Sequence, residues 1–117
     1  MQFTAKARFL KFSPFKLRPL VDVVRGRNVQ QALHWLSVCE LKRAVPIKKL
    51  IASAVANAKF VENNIDLSKL FITDIRVDHG PSQRYFKPGP MGRASLQKRR
   101  SSHASVILKF KTNKKEV

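Results

Sequence analysis

Residues 79–103, HGPSQRYFKPGPMGRASLQKRRSSH, decide how the rest of the chain is read. The stretch lies between two alternating apolar segments, yet it is basic, rich in Pro and Gly, and free of Asp and Glu. Its flanks, LFITDIRVD (70–78) and ASVILKFK (104–111), alternate as half-buried strands do. The simplest topology joins them as a hairpin with unusually long arms. Pro88, Gly89, Pro90 and Gly92 collect the turn chemistry near the middle and mark the tip. Extended at about 3.3 Å per residue, such arms reach well beyond the sheet. A lone two-stranded hairpin is marginal in water, so this one is expected to order only inside a negatively charged groove.

Working outward, QFTAKARFL (2–10) predicts a first strand with Phe3, Ala5, Ala7 and Phe9 on one face and Thr4, Lys6 and Arg8 on the other. In the strand over 70–78, Phe71, Ile75 and Val77 are expected to face one way, and Ile72, Asp74, Arg76 and Asp78 the other. In the last strand Val106, Leu108 and Phe110 are expected inward, with Lys109 and Lys111 outward. SPFKLRPLVDVVRG (13–26) predicts a helix with Ser13 as cap, Pro14 in the first position and Gly26 in the turn that ends it. Pro19 removes one internal hydrogen bond from it. NVQQALHWLS (28–37) predicts a second helix capped by Asn28, with Val29, Ala32, Leu33 and Leu36 as its apolar stripe. A third helix, about 42–61, is striped by Ala44, Ile47, Ile51, Ala54, Val55 and Ala58, and Pro46 fits only in its first turn. The fold class is α+β: three helices packed on a small three-stranded antiparallel sheet, with a long protruding β-hairpin. One domain is expected over residues 1–117, with 79–103 as the hairpin projecting from it.

The charge narrows the partners. Twenty-four Lys and Arg against seven Asp and Glu leave a formal net charge of +17 on 117 residues. Nucleic acid is the first partner such a chain calls for, an anionic membrane surface the second, and a merely solvated basic face the third. The hairpin lacks the wide apolar face that a membrane-active segment needs. No run approaches 18 apolar residues, and the basic N-terminus lacks the long apolar run and small-residue cleavage site of a secretory signal. The single cysteine, Cys39, has no internal disulfide partner, which fits a reducing compartment. Tyr85 and Phe86, set among the bases of the arm, serve either to stack on exposed bases or to pack across the strands. GPMGR lacks the Lys-Ser/Thr of a phosphate-binding loop, and the carboxylates are scattered. His79 and His103 sit where they would face each other across the hairpin base, without the further ligands a metal needs. Neither an enzyme, a metal nor a cofactor is expected.

SPFKLRPLVDVVRG, ALHWL, SAVANA, VDHGPS, GRA and SSH occur in the order seen in the bacterial-type large-subunit ribosomal protein L22 family. The resemblance runs from about Thr4 to Phe110 and is specific through the order of its pieces. It implies a small α+β domain bound to large-subunit ribosomal RNA near the mouth of the peptide exit tunnel. It further implies a hairpin threading inward between RNA domains, its tip forming part of the tunnel wall. Implied partners are that RNA, neighbouring large-subunit proteins and the nascent peptide, with no membrane. The implied place is the cytoplasmic ribosome of a bacterium, or alternatively that of an organelle. By position, Lys16, Arg18 and Arg25 match basic residues of the family's first helix, His103 its polar position opening the last strand, and Arg93 the residue after the tip glycine. Lys6, Arg8, Lys11, Lys16 and Arg18 are then expected to anchor the globular part, and Arg84, Lys87, Lys98, Arg99 and Arg100 to order the hairpin on RNA. Pro88, Gly89, Pro90, Met91, Gly92 and Arg93 form the tip. Gly89 and Pro90 stand where the family usually carries a basic and a small residue, so the tip's contact or lining is expected to differ.

Overall fold

A computed structural model describes residues 2–110. Lys111, expected to face outward, lies outside the described residues. The elements run β1 (Gln2–Leu10), α1 (Pro14–Val24), α2 (Val29–Val38), α3 (Ala44–Val61), β2 (Leu70–His79), β3 (Gln83–Pro88), β4 (Ala94–Arg99) and β5 (Ser102–Phe110). β1, β5 and β2 form an antiparallel sheet in that order, and β3 pairs with β4 as a separate ribbon. The three helices cover one face of the sheet, so the class is α+β with a hairpin. The chain extends 66 × 28 × 25 Å, with a radius of gyration of 17.9 Å. A compact chain of this length would have about 13 Å.

Local chemistry sets the helix ends. The Ser13 hydroxyl accepts from the Phe15 N–H at 3.3 Å, and Pro14 begins α1. Leu17, Leu20, Val21 and Val24 then bury one stripe. Pro19 lies inside α1 without ending it, and its ring stays exposed on the far side. Gly26, at φ 78°, reverses the chain, and its N–H donates to the Ile72 carbonyl at 2.9 Å. The Ile72 N–H donates back to Arg27 at 3.0 Å, so this loop covers the free edge of β2. Asn28 caps α2 by accepting from Gln30 at 2.8 Å, while its amide donates to the Ser68 carbonyl. Pro46 falls in the first turn of α3, where no intrahelical N–H is needed. Ala54 and Ala58 are fully buried, and their small size lets α3 lie close across β1 and β5.

Two bulges alter the strand faces expected from simple alternation. Ala7 pairs with Ala104 and Leu10 with Ser102, so Arg8 and Phe9 together oppose His103. Phe9 takes φ 59°, leaves the core and is 64% exposed, while Leu10 packs inward in its place. A left-handed backbone costs a non-glycine residue about 1–2 kcal/mol. In β2, Ile72 pairs with Leu108 and Asp74 with Ile107, leaving Thr73 extra. The phase therefore flips: Leu70 and Ile72 are buried before the bulge, Ile75 and Val77 after it, and Phe71 is only half-buried. Phe110 closes the end of the core by meeting Phe3 edge-on at 5.9 Å.

Candidate nucleic-acid interface

The arm is a ribbon bare on both faces. β3 and β4 pair from Gln83–Arg99 to Pro88–Ala94, and every residue of β3 is exposed. Alternation puts Arg84, Phe86, Leu96 and Lys98 on one face, and Tyr85, Lys87, Gln97 and Arg99 on the other. Arg84 stands directly opposite Lys98. Like charges so placed destabilise a ladder unless an anion lies between or against them. The Arg99 guanidinium lies 5.3 Å from the centre of the Tyr85 ring, and Phe86 faces Leu96 across the strands. At the tip, Gly89 donates to Arg93 at 2.5 Å and Arg93 to Pro90 at 3.2 Å. Met91 and Gly92 both take left-handed backbone, and Met91 is 97% exposed.

The arm joins the sheet through a tight, offset joint. Gly80 donates to Ser101 at 2.9 Å, and the Ser101 hydroxyl donates to the Pro81 carbonyl at 2.6 Å. A Cβ on Gly80 would meet the Ser101 hydroxyl oxygen at 2.5 Å and the Ser101 carbonyl carbon at 3.1 Å, so a larger residue must push that hydroxyl off Pro81. Beyond it, Pro81 and Ser82 oppose Arg100 alone, which shifts the register by one residue. Phe15 of α1 steadies the joint from the side. Its ring lies 5.4 Å from the Arg18 guanidinium, 5.9 Å from that of Arg100, and edge-on to His79 at 5.5 Å.

An open cleft of about 1160 Å³ lies where arm and head meet. Lys11 and Lys16 line it from the head, and Lys98, Arg99 and Arg100 from the arm, with Phe9 and Phe12 among them and no carboxylate. A second basic surface is the uncovered face of the sheet. Lys6 and Arg76 flank Ser105 in one row across the three strands, and Arg8 and Lys109 are exposed on the same sheet. Arg76 also bonds Asp74 at 2.8 Å.

Two of the cations expected to meet RNA have structural partners. Arg18 donates from Nε and Nη2 to the Val77 carbonyl at 3.4 and 3.2 Å, tying α1 to β2. Arg25 donates to Asp22 at 2.6 Å and to the Ile75 carbonyl at 2.7 Å. His79 and His103 do not face each other, because His79 pairs with Ser102 and His103 with Asp78. His103 instead meets the Phe9 ring edge-on at 5.0 Å, and its Nδ1 accepts from the Phe9 N–H at 3.0 Å. Nothing in the sequence pattern marks Phe9 for this position, since alternation sends it inward. Lys109 and Arg76 were legible as outward cations, but their grouping with Lys6 depends on strand order.

Among the described residues no three His, Cys, Asp or Glu side chains come together as a metal site would need. No described helix is long and apolar enough to cross a membrane. A small α+β head with a bare cationic arm is the structural class that fold and surface define. Comparison with known proteins gives the family. The chain matches the family described as ribosomal protein L22p/L17e over residues 5–109. Large ribosomal subunit protein uL22 of Myxococcus xanthus (strain DK1622) is 41% identical over 109 residues, covering 92% of this chain and 96% of that protein. The protein of that name from Desulforamulus reducens is 40% identical over 111 residues, covering 95% and 97%. That from Syntrophotalea carbinolica is 41% identical over 111 residues, covering 95% and 100%. The chain belongs to the ribosomal protein L22p/L17e family. It is a structural, non-enzymatic protein of the large ribosomal subunit, at work in translation in the cytoplasmic ribosome of a bacterium.

Proposed function

We propose that the chain holds large-subunit ribosomal RNA in two ways, as one domain with an inserted probe at 79–103. The head sits near the exit-tunnel mouth beside neighbouring large-subunit proteins. There Lys6, Arg8, Lys11 and Lys16 meet phosphates, joined by whatever faces of Arg18, Arg25 and His103 their internal bonds leave free. The arm runs inward between RNA segments, held by Arg84, Lys87, Lys98, Arg99 and Arg100. Its tip, from Pro88 to Arg93, lines the tunnel that the nascent peptide passes.

One observation carries this reading: the arm is cationic on both faces, and Arg84 and Lys98 oppose each other across it. A protein lying on one flat anionic surface needs charge on one side only. A ribbon charged on both sides, with an internal repulsion to relieve, fits a slot walled by phosphate on both sides. The test is chemical footprinting of large-subunit ribosomal RNA with the intact chain and with residues 82–100 replaced by a short turn. Protection of discrete sites in several RNA domains, with the interior subset lost in the shortened chain, is the expected result. Weak protection that tracks only salt in both forms would overturn the assignment in favour of general polyanion binding.

A further inference from the structure

The cleft between arm and head has one feature that phosphate binding alone does not explain. Phe9 is exposed in its wall, held out of the core by a bulge with left-handed backbone at the aromatic residue itself. A bulge residue at positive φ is ordinarily Gly or Asn. The arrangement is nevertheless fixed from two sides, because His103 accepts the Phe9 N–H and packs edge-on to its ring. An edge-on contact occupies at most one face of the Phe9 ring. Around that ring the cleft carries Lys11, Lys16, Lys98, Arg99 and Arg100 and no acid. Strained backbone kept in place by its surroundings is a mark of a working position. An exposed aromatic face among cations is the means by which proteins take hold of single-stranded nucleic acid.

We infer that this cleft is a pocket for one unpaired nucleotide, whose base stacks on Phe9 while Lys11 and Lys16 on one side, and Lys98, Arg99 and Arg100 on the other, hold the phosphates flanking it. The inference rests on the RNA-binding reading above and assigns to one part of that surface a base rather than a backbone. His103 acts here as a positioning residue: it presents Phe9 to the base, and its own ring is not part of the stack. The pocket forms only when arm and head are both in place, since each supplies one side of it. Seating a nucleotide there fixes the angle between them.

The experiment uses the full chain and two probes, a five-sugar RNA strand bearing adenine at its centre only and the same strand wholly abasic. Their phosphates are identical, so any difference in affinity belongs to the base. The intact chain is expected to bind the adenine strand about five- to a hundredfold more tightly. Phe9→Leu, which keeps an apolar side chain without a ring, is expected to lose that preference, so that it binds the two strands alike. Phe9→Trp is expected to keep it. Ultraviolet cross-linking of the unaltered chain to the adenine strand, mapped by mass spectrometry, is expected to mark Phe9 and needs no variant to fold. Equal affinity of the intact chain for both strands would overturn the pocket and leave a phosphate site. A preference that survives Phe9→Leu would move the base elsewhere, to Tyr85 or Phe86. If ribosomal RNA footprints persist while the adenine strand gains nothing, the pocket fails alone; if the footprints are lost as well, the broader reading fails with it.

Discussion

Replacing Lys98 by Glu separates what holds the arm together from what holds it to RNA. Lys98 stands directly opposite Arg84, where Cβ atoms lie about 4.5–5.5 Å apart and the charged ends somewhat further. Two like charges about 7 Å apart in water repel by roughly 0.6 kcal/mol. Reversing one sign turns that repulsion into a similar attraction, a change of about 0.5 kcal/mol once salt screening is included, or roughly two- to threefold in the equilibrium between ordered and frayed arm. Amide hydrogen exchange across Gln83–Arg99 in the free protein is expected to slow by that factor. RNA binding should move the other way. Each phosphate contact contributes about 0.7–0.9 to the slope of log affinity against log salt, so the slope falls by about that much. Affinity at low salt falls at least threefold by the same relation. A better-ordered arm that binds worse is the signature. Tighter RNA binding by Lys98→Glu would refute the view that the arm is read through its charge, and unchanged exchange would refute the repulsion itself.

His103→Ala removes the acceptor for the Phe9 N–H and should cost about 0.5–1 kcal/mol in urea unfolding, with His103→Gln recovering part of it. Gly80→Ala drives a methyl group against Ser101 and should destabilise the joint by about 1–3 kcal/mol, seen as faster exchange of the Gly80 and Ser101 amides before any change in the head. The Ser68 hydroxyl and then its backbone N–H hold the Asp66 carboxyl below its ordinary value. The stabilisation this gives is fully present above the ordinary carboxylate value and is lost only as pH falls through the lower folded one. Ser68→Ala should raise the Asp66 titration midpoint, read directly by NMR.

What was legible beforehand is what chemistry settles locally. Ser13, Asn28 and Gly26 act on backbone groups within a few residues of themselves, so their roles in capping and turning α1 and α2 follow from sequence alone. The stripe from Ala44 to Ala58 follows from helical period in the same way. The two bulges were hidden because a bulge belongs to a pair of strands. Nothing within QFTAKARFL says that Arg8 and Phe9 must share one partner residue; the reason lies with His103 on β5. For the same reason Ile72 replaced Phe71 in the core. The basic residues were legible as charge and not as places. Lys11 and Lys16 meet Lys98 to Arg100 only because the arm returns past the start of α1, and Arg18 and Arg25 were legible as cations without their bonds to β2.

The order β1-β5-β2 has a consequence for how this chain comes into being. Its central strand is made last, and Gln2 finds its partner only in Lys109. During synthesis β1 and β2 lack the strand that joins them, and the helices have no complete sheet to cover. The apolar faces around Phe3, Ile72 and Ile75 stay bare in a strongly cationic chain until β5 emerges. Contacts so distant along the chain close slowly, on the scale of milliseconds to seconds. A chain that stops before Ser102 does not lose an edge; it loses the whole sheet.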